Sequence, residues 1–137
     1  MRTALDTNVL AAIWGNEPSV PILLPKLGRA ESEGALLICP LVSAELHAHP
    51  WVSAQDLDRL LESTRIAADT RVEQQVWREA GLRYRSYSER RRRSGGGSPR
   101  RLLADFVIGA HALLQADRLL TLDSEIYARN FPELILL

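Results

Sequence analysis

A chain of 137 residues with 46% hydrophobic and 25% charged residues has the size and composition of one globular domain, expected over residues 1–137. No apolar run reaches the roughly 18 residues that a membrane-spanning helix needs. An acid at position 6 argues against a secretory signal, and the single Cys39 cannot form an internal disulfide. We therefore expect a cytoplasmic protein that does not enter a membrane.

The net charge of zero hides a strong asymmetry along the chain. From position 83 to position 101, eight arginines stand against one acid, Glu89, while the remainder has an excess of acids. Such a basic strip suits a phosphate-rich partner such as RNA, but a solvated charge run has the same composition, and both interpretations stay open. Four of these arginines precede a Gly/Ser segment, which predicts a flexible loop over about residues 89–99.

The apolar periodicity predicts the order of the secondary-structure elements. In chain order these are a strand at 3–5, helices at 8–14 and 19–33, a strand at 35–39, helices at 42–48 and 54–63, a long helix from residue 69 or 70 to the mid-80s, a helix at 102–116, a strand at 119–122, a helix at 124–130 and a last strand at 134–137. Short apolar strands separated by helices predict an α/β sandwich with a small parallel sheet covered on both faces.

Four carboxylates occupy related places in this pattern. Asp6 and Asp123 directly follow predicted strands, and Glu45 and Asp105 lie in the first turns of predicted helices. In a parallel α/β sheet the carboxyl ends of the strands share one edge, where ligands bind. All four acids are therefore candidates for one site.

Each acid also has a purely structural interpretation. Asp6 and Asp123 each fit the N-cap of the helix that follows. Asp105 fits an ion pair with Arg100 or Arg101. Glu45 and Asp105 are harder to explain in this way, because both have apolar neighbours and carboxylates are rarely buried without a partner.

Four carboxylates packed together would repel one another, and a divalent cation would remove that conflict. Hard oxygen ligands favour Mg²⁺ or Mn²⁺ over zinc. Such a site can activate water and stabilise the leaving oxygen of a phosphodiester. Phosphodiester hydrolysis also fits the basic strip.

The acids and their neighbours also resemble a known family. The resemblance rests on four segments in order, Asp6-Thr7-Asn8, Ser43-Ala44-Glu45-Leu46, Ala104-Asp105-Phe106-Val107-Ile108-Gly109-Ala110-His111-Ala112 and Leu120-Thr121-Leu122-Asp123. Their order and spacing resemble the PIN domain, and are most similar to the VapC-type toxins of bacterial and archaeal toxin–antitoxin pairs. The similarity extends from Thr3 to Leu134, although the arginine-rich segment at 90–98 is longer and more basic than that pattern.

This resemblance implies a PIN-like three-layer α/β/α sandwich with a short central parallel sheet, and endoribonuclease activity dependent on Mg²⁺ or Mn²⁺. It implies that Asn8 and Thr121 orient the acids or the attacking water. It further implies a homodimer, an RNA substrate and a protein antitoxin that wraps the toxin and blocks its site. The metal-binding acids by the same resemblance are Asp6, Glu45, Asp105 and Asp123.

Two other functions were weighed against this one. A phosphatase with an aspartyl nucleophile would require a second aspartate two residues after the first, where this chain has Asn8, and a suitably placed lysine, whereas the sequence has only Lys26. A non-catalytic PIN-like module would bind RNA or protein without cutting it. Loss of one or more acids is the usual signature of such a module, and here all four are present.

Overall fold

The computed structural model describes residues 1–50, 52–97 and 101–137. Within these ranges the strands are β1 (Arg2–Leu5), β2 (Ala35–Ile38), β3 (Ile66–Ala68) and β4 (Arg118–Leu120). The helices are α1 (Thr7–Trp14), α2 (Val20–Glu33), α3 (Pro40–His47), α4 (Ala54–Ser63), α5 (Gln74–Arg93), α6 (Leu103–Gln115) and α7 (Ser124–Asn130). The predicted α/β class is confirmed.

The four strands form one parallel sheet in the order β3-β2-β1-β4. The chain moves from β1 to β2 to β3 in one direction, then crosses back to place β4 on the other side of β1. Because such crossovers are right-handed, this reversal places α1 to α4 on one face of the sheet and α5 and α6 on the other. The helix contacts agree, since α1 contacts α2 and α3, α3 contacts α4, and the most extensive helix pair is α5 with α6. The predicted sandwich with a short parallel sheet is confirmed.

The core is built from the strands and from α6. Strand residues such as Leu5, Ile38 and Leu119 are fully buried. In α6 every residue from 106 to 112 is buried, as expected for a helix enclosed between a sheet and another helix. The ring of Phe106 lies 5.3 Å from that of Tyr84 and 5.9 Å from that of Phe131, measured between centroids. Aromatic packing therefore holds α5 and the C-terminal segment against α6.

The predicted loop at about 89–99 was wrong at its beginning, because α5 continues as a helix to Arg93. Arginine is a good helix former, and Tyr84 and Tyr87 anchor this part of the helix against Phe106. Gly95, with a φ of 74°, follows the end of the helix in a conformation that favours glycine. The remaining part of the predicted loop at 98–100 lies outside the described residues.

Two strand predictions also need correction. The predicted strand at 134–137 forms only an isolated parallel bridge between Leu119 and Leu136. Conversely, β3 was not predicted, since it is three residues long and only Ile66 in it is buried. Among the described helices, none has the length and apolar character needed to cross a membrane.

Candidate active site

The candidate site lies where the chain reverses direction in the sheet, between the carboxyl ends of β1 and β4. The two ends are joined directly, because the N–H of Asp6 donates a hydrogen bond to the carbonyl of Leu120 at 3.0 Å. Such a switch point opens a crevice beyond the strands. Here the crevice is a pocket of about 490 Å³, and its lining includes all four predicted acids, Asp6, Glu45, Asp105 and Asp123.

Asp6 is the most buried of the four acids, with 5% of its surface exposed. One carboxylate oxygen accepts the N–H of Thr7 at 2.8 Å. The other accepts the amide of Asn8 at 2.9 Å and the hydroxyl of Thr121 at 2.7 Å. Asp6 therefore caps α1, as its structural interpretation predicted, and it also faces the pocket.

Asn8 and Thr121, the two predicted polar site residues, join β1 to β4 around Asp6. The amide of Asn8 lies 3.3 Å from the Thr121 hydroxyl, and its carbonyl oxygen accepts the N–H of Leu122 at 3.0 Å. The Thr121 hydroxyl in turn accepts the N–H of Asp123 at 3.0 Å. This network fixes the Asp6 side chain relative to the segment that carries Asp123.

The remaining acids are held more loosely around the pocket. The carboxylate of Glu45, on α3, accepts a hydrogen bond from the hydroxyl of Thr7. Asp105 lies in the first turn of α6 and is partly buried. Asp123 stands at the N-cap position of α7 but makes no side-chain capping hydrogen bond, so its predicted capping role was wrong.

A cation from the chain itself reaches into the pocket. The guanidinium of Arg101 lies 2.5 Å from the carboxylate of Asp123, with both side chains partly exposed. Arg101 had been considered as an ion-pair partner of Asp105, whereas the structure places it on Asp123. Arg100, the other partner considered, lies outside the described residues.

The electrostatics of the pocket reflect crowded negative charge. Burial raises the pKa of Asp6, and the charge of Glu45 adds to that effect although hydrogen bonds from Thr121 and Thr7 oppose it. Burial also raises the pKa of Asp105, and so does the charge of Asp6. The neighbouring Tyr127 hydroxyl has its pKa raised by burial and then by Asp6 and Asp105. These acids thus oppose one another's ionisation.

The donor set fits a hard divalent cation. Carboxylate oxygens with amide and hydroxyl neighbours are what Mg²⁺ and Mn²⁺ prefer. A bound cation would offset the burial and, to a smaller extent, the neighbouring negative charge that raise the pKa of Asp6 and Asp105. In the described residues no three Asp, Glu, His or Cys side chains converge on one point as metal ligands. The acids share a pocket without closing on a common centre, and Arg101 supplies the positive charge beside Asp123.

The structure adds three residues that the sequence did not assign to the site. Thr7 binds Glu45, Arg101 binds Asp123, and the buried Tyr127 lines the pocket. The Tyr127 hydroxyl interacts electrostatically with Asp6, although it does not reach the geometry of a full hydrogen bond. The signal for Tyr127 was its position four residues after Asp123, which puts both on one side of a helix.

A second cavity of similar volume, about 480 Å³, lies beside α1 and α3. Its lining includes Trp14, Leu46 and Val52, and none of the four predicted acids. The chemistry is therefore assigned to the carboxylate pocket.

The sequence matches the PIN domain family over residues 3–132, so the chain belongs to that family, whose members are generally nucleases. Among curated proteins, none matches this sequence.

Two solved structures share the fold. The crystal structure of VapBC2 from Rickettsia felis bound to a DNA fragment from their promoter contains a chain that is 21% identical, with a TM-score of 0.62. The match covers 100% of this chain and 98% of that one. The structure of VapBC-1 from nontypeable Haemophilus influenzae contains a chain that is 20% identical, with a TM-score of 0.62 and coverage of 100% and 97%.

Proposed function

We propose that this protein is a metal-dependent endoribonuclease of the VapC toxin type. The observation that carries the proposal is the placement of four acids around one pocket at the switch point of the sheet. Burial raises the pKa of Asp105 and the charge of Asp6 raises it further, which supports a cationic cofactor. Membership of the PIN family supports nuclease chemistry.

The proposed metal ligands are the acids of the pocket, Asp6, Glu45, Asp105 and Asp123. A bound Mg²⁺ or Mn²⁺ supplies Lewis acidity and lowers the pKa of water. Asn8 and Thr121 hold the Asp6 carboxylate in one orientation, since both donate hydrogen bonds to the same oxygen. Thr7 does the same for Glu45. These neutral donors position the acids without competing for a cation.

RNA is the proposed substrate, cut at its phosphodiester bonds in the cytoplasm. The basic end of α5 supports a polyanionic substrate, because Arg90, Arg91, Arg92 and Arg93 form its last turn. The similarity to two VapBC structures supports a protein antitoxin as partner, and the family resemblance supports a homodimer. Size-exclusion chromatography with light scattering would test the dimer, and co-purification with the product of a neighbouring reading frame would test the antitoxin.

The test of the activity is cleavage of a pool of structured RNAs by the purified protein with Mn²⁺ or Mg²⁺. We expect cleavage that stops with a chelator and in Asp105→Asn. The matched control is Asp58→Asn, which removes a carboxylate that is exposed on α4 and lies outside the pocket. Asp58→Asn should cleave like the wild type.

The outcomes separate the candidate functions. Metal-dependent cleavage that Asp105→Asn abolishes supports the nuclease and its site. Metal binding without cleavage indicates a substrate missing from the pool, and a wider RNA pool then decides. Neither cleavage nor metal binding would contradict the proposal and leave the non-catalytic binding module as the better function.

A further inference from the structure

A second, basic pocket adjoins the carboxylate pocket. It has a volume of about 200 Å³ and lies between the C-terminal part of α5 and α7. Two residues, Arg101 and Ile126, line both pockets, so the two cavities share a wall. An extended ligand bound at one pocket would therefore reach the other.

Three arginines give the second pocket its character. Arg91 comes from the last turn of α5, Arg129 from α7, and Arg101 from the segment before α6, with Glu125 as the one acid in the lining. The pair formed by Arg129 and Glu125 at 3.3 Å is weak, because both side chains are largely exposed. The lining of the pocket thus carries positive charge in excess.

The arginines of the basic strip at 83–101 have two kinds of surroundings in the structure: some bind other parts of the fold, and others line the basic pocket. Arg83 binds Glu79 and Glu133 and lies over the Phe131 ring at 4.7 Å, which ties α5 to the C-terminal segment. Arg90 binds the side chain of Asn130. These two arginines stabilise the fold. Arg91, which donates to the carbonyl of Gly96, and Arg101, which pairs with Asp123, line the pocket.

The neighbouring polar groups hold the pocket in shape. The backbone N–H of Arg101 donates to the Tyr87 hydroxyl at 3.2 Å, and the ring of Tyr87 packs on Phe106 at 5.4 Å. Asn130 is buried and donates to the carbonyl of Ile126 at 2.8 Å. The arginines of the pocket are therefore attached to well-packed parts of α5 and α7 and to the segment before α6.

We propose that this pocket binds a backbone phosphate of single-stranded RNA, next to the phosphate that lies at the carboxylates. Guanidinium groups recognise phosphate oxygens with two parallel hydrogen bonds. A single strand can bend so that successive phosphates enter adjoining pockets, whereas a duplex holds its backbone in a fixed A-form geometry. The proposal deepens the proposed ribonuclease function and rests on it for the identity of the ligand.

The test is binding of a fluorescein-labelled single-stranded RNA oligonucleotide, measured by anisotropy with chelator present so that no cleavage occurs. Arg129→Gln should weaken binding about three- to tenfold and reduce the slope of log K against log salt by roughly 0.7, the value for one lost phosphate contact to a single strand. Arg91→Gln should behave similarly. Arg129→Lys should recover part of the affinity, because it keeps the charge but loses the paired hydrogen bonds.

The matched control is Arg92→Gln, which removes one positive charge from the turn of α5 that also carries Arg91, without altering the pocket lining. It should change both quantities less than Arg129→Gln. Equal effects of the two variants would overturn the proposal, because they would indicate general attraction. Equal binding of duplex RNA with the same dependence on Arg129 would overturn the single-strand assignment.

The cleavage assay is separate and distinguishes the two proposals. RNA binding that depends on Arg129, in a protein that does not cleave, would sustain the phosphate pocket while contradicting the nuclease. If the wild type cleaves RNA, but Arg129→Gln and Arg92→Gln bind RNA with equal affinity, the phosphate pocket is contradicted and the nuclease is not.

Discussion

At the scale of single residues, Asp6 combines two demands. It caps α1 through the N–H of Thr7, and it presents buried negative charge to a pocket that holds three more acids. Hydrogen bonds from Thr121 and Asn8 offset part of the cost of burying that charge. The rest of the cost persists in the metal-free protein, as the raised pKa of Asp6 and Asp105 indicates.

Asp105→Asn should therefore leave the metal-free protein at least as stable as the wild type near neutral pH. The folded-state pKa of Asp105 is raised, so the stability linked to its proton is fully present below the ordinary value of 3.8 and is lost as pH rises through the raised value. The variant should lose that part of the pH dependence. Urea unfolding of wild type and variant in chelator, between about pH 4 and pH 7, measures this pH dependence of the free energy of unfolding.

A large loss of stability in Asp105→Asn would show instead that Asp105 holds the fold together as an ion-pair member.

The same variant should lower cleavage by more than about 100-fold, since even residues that only support metal ligands contribute 10- to 100-fold.

Arg101→Gln should tighten Mn²⁺ binding roughly fivefold, because the guanidinium competes with a cation for Asp123. Fivefold corresponds to about 1 kcal/mol, the interaction of two unit charges about 4 Å apart in water. Isothermal titration of Mn²⁺ into wild type and variant measures the change, with Arg92→Gln as the control for net charge. Weaker Mn²⁺ binding by Arg101→Gln would show that this arginine supports the site.

Sequence reasoning named the residues of the pocket better than their contacts. The position of Asp6 after a strand was enough to assign it to the sheet edge, whereas Asn8 was assigned through the family resemblance. The partners of Glu45 and Asp123 could not be predicted, because side chains from three separate elements meet there only after the helices pack. Thr7 and Arg101 are the residues affected.

At the scale of elements, α6 is enclosed on several sides and tolerates little added volume. A Cβ atom at Gly109 would lie 2.5 Å from the ring of Phe131, which is itself fully buried. The missing side chain thus lets the C-terminal segment pack against α6. At the exposed Gly81, on α5, a Cβ atom would meet nothing within 4 Å.

Gly109→Ala should lower the free energy of unfolding by about 1–3 kcal/mol, the usual cost of overpacking a core. Gly81→Ala, the matched control in another helix, should raise it by about 0.5–1 kcal/mol through reduced backbone entropy of the unfolded chain. Urea unfolding of both variants measures the difference. A neutral Gly109→Ala would mean that Phe131 moves aside without cost.

The sequence predicted a helix best where a residue typical of the N-cap directly precedes it. The helix at 124–130 and the helix at 54–63 match α7 and α4 residue for residue. Prediction failed where tertiary contacts decide: α5 is extended by packing on Phe106, and β3 pairs with β2 although two of its three residues are exposed. Neither contact can be predicted from local residue propensities, because both join segments that are distant in the sequence.

At the scale of the whole molecule, charge is segregated around the switch point of the sheet. The acids of one pocket face the arginines of the next across a wall that contains Arg101. A cation and a polyanion would thus bind side by side, each reducing the repulsion that the other encounters.

Mn²⁺ or Mg²⁺ should raise the melting temperature of the wild type by several degrees, because saturation at about 100 times Kd contributes about 2.7 kcal/mol. Asp105→Asn should lose most of this shift, whereas Asp58→Asn should keep it. Differential scanning fluorimetry measures the shift in melting temperature, with KCl at equal ionic strength as the reference condition. An equal shift in wild type and Asp105→Asn would contradict the assigned ligands.

The pairing of β1 with β4 has a consequence for synthesis of the chain. Asp6 and Thr121 are 115 residues apart, so at about 5–20 residues per second Asp6 is synthesised roughly 6–23 seconds before its partner. During that interval β1 has only β2 and its helices as neighbours. A growing chain therefore cannot assemble the pocket, and the proposed ribonuclease site stays incomplete until β4 has been made.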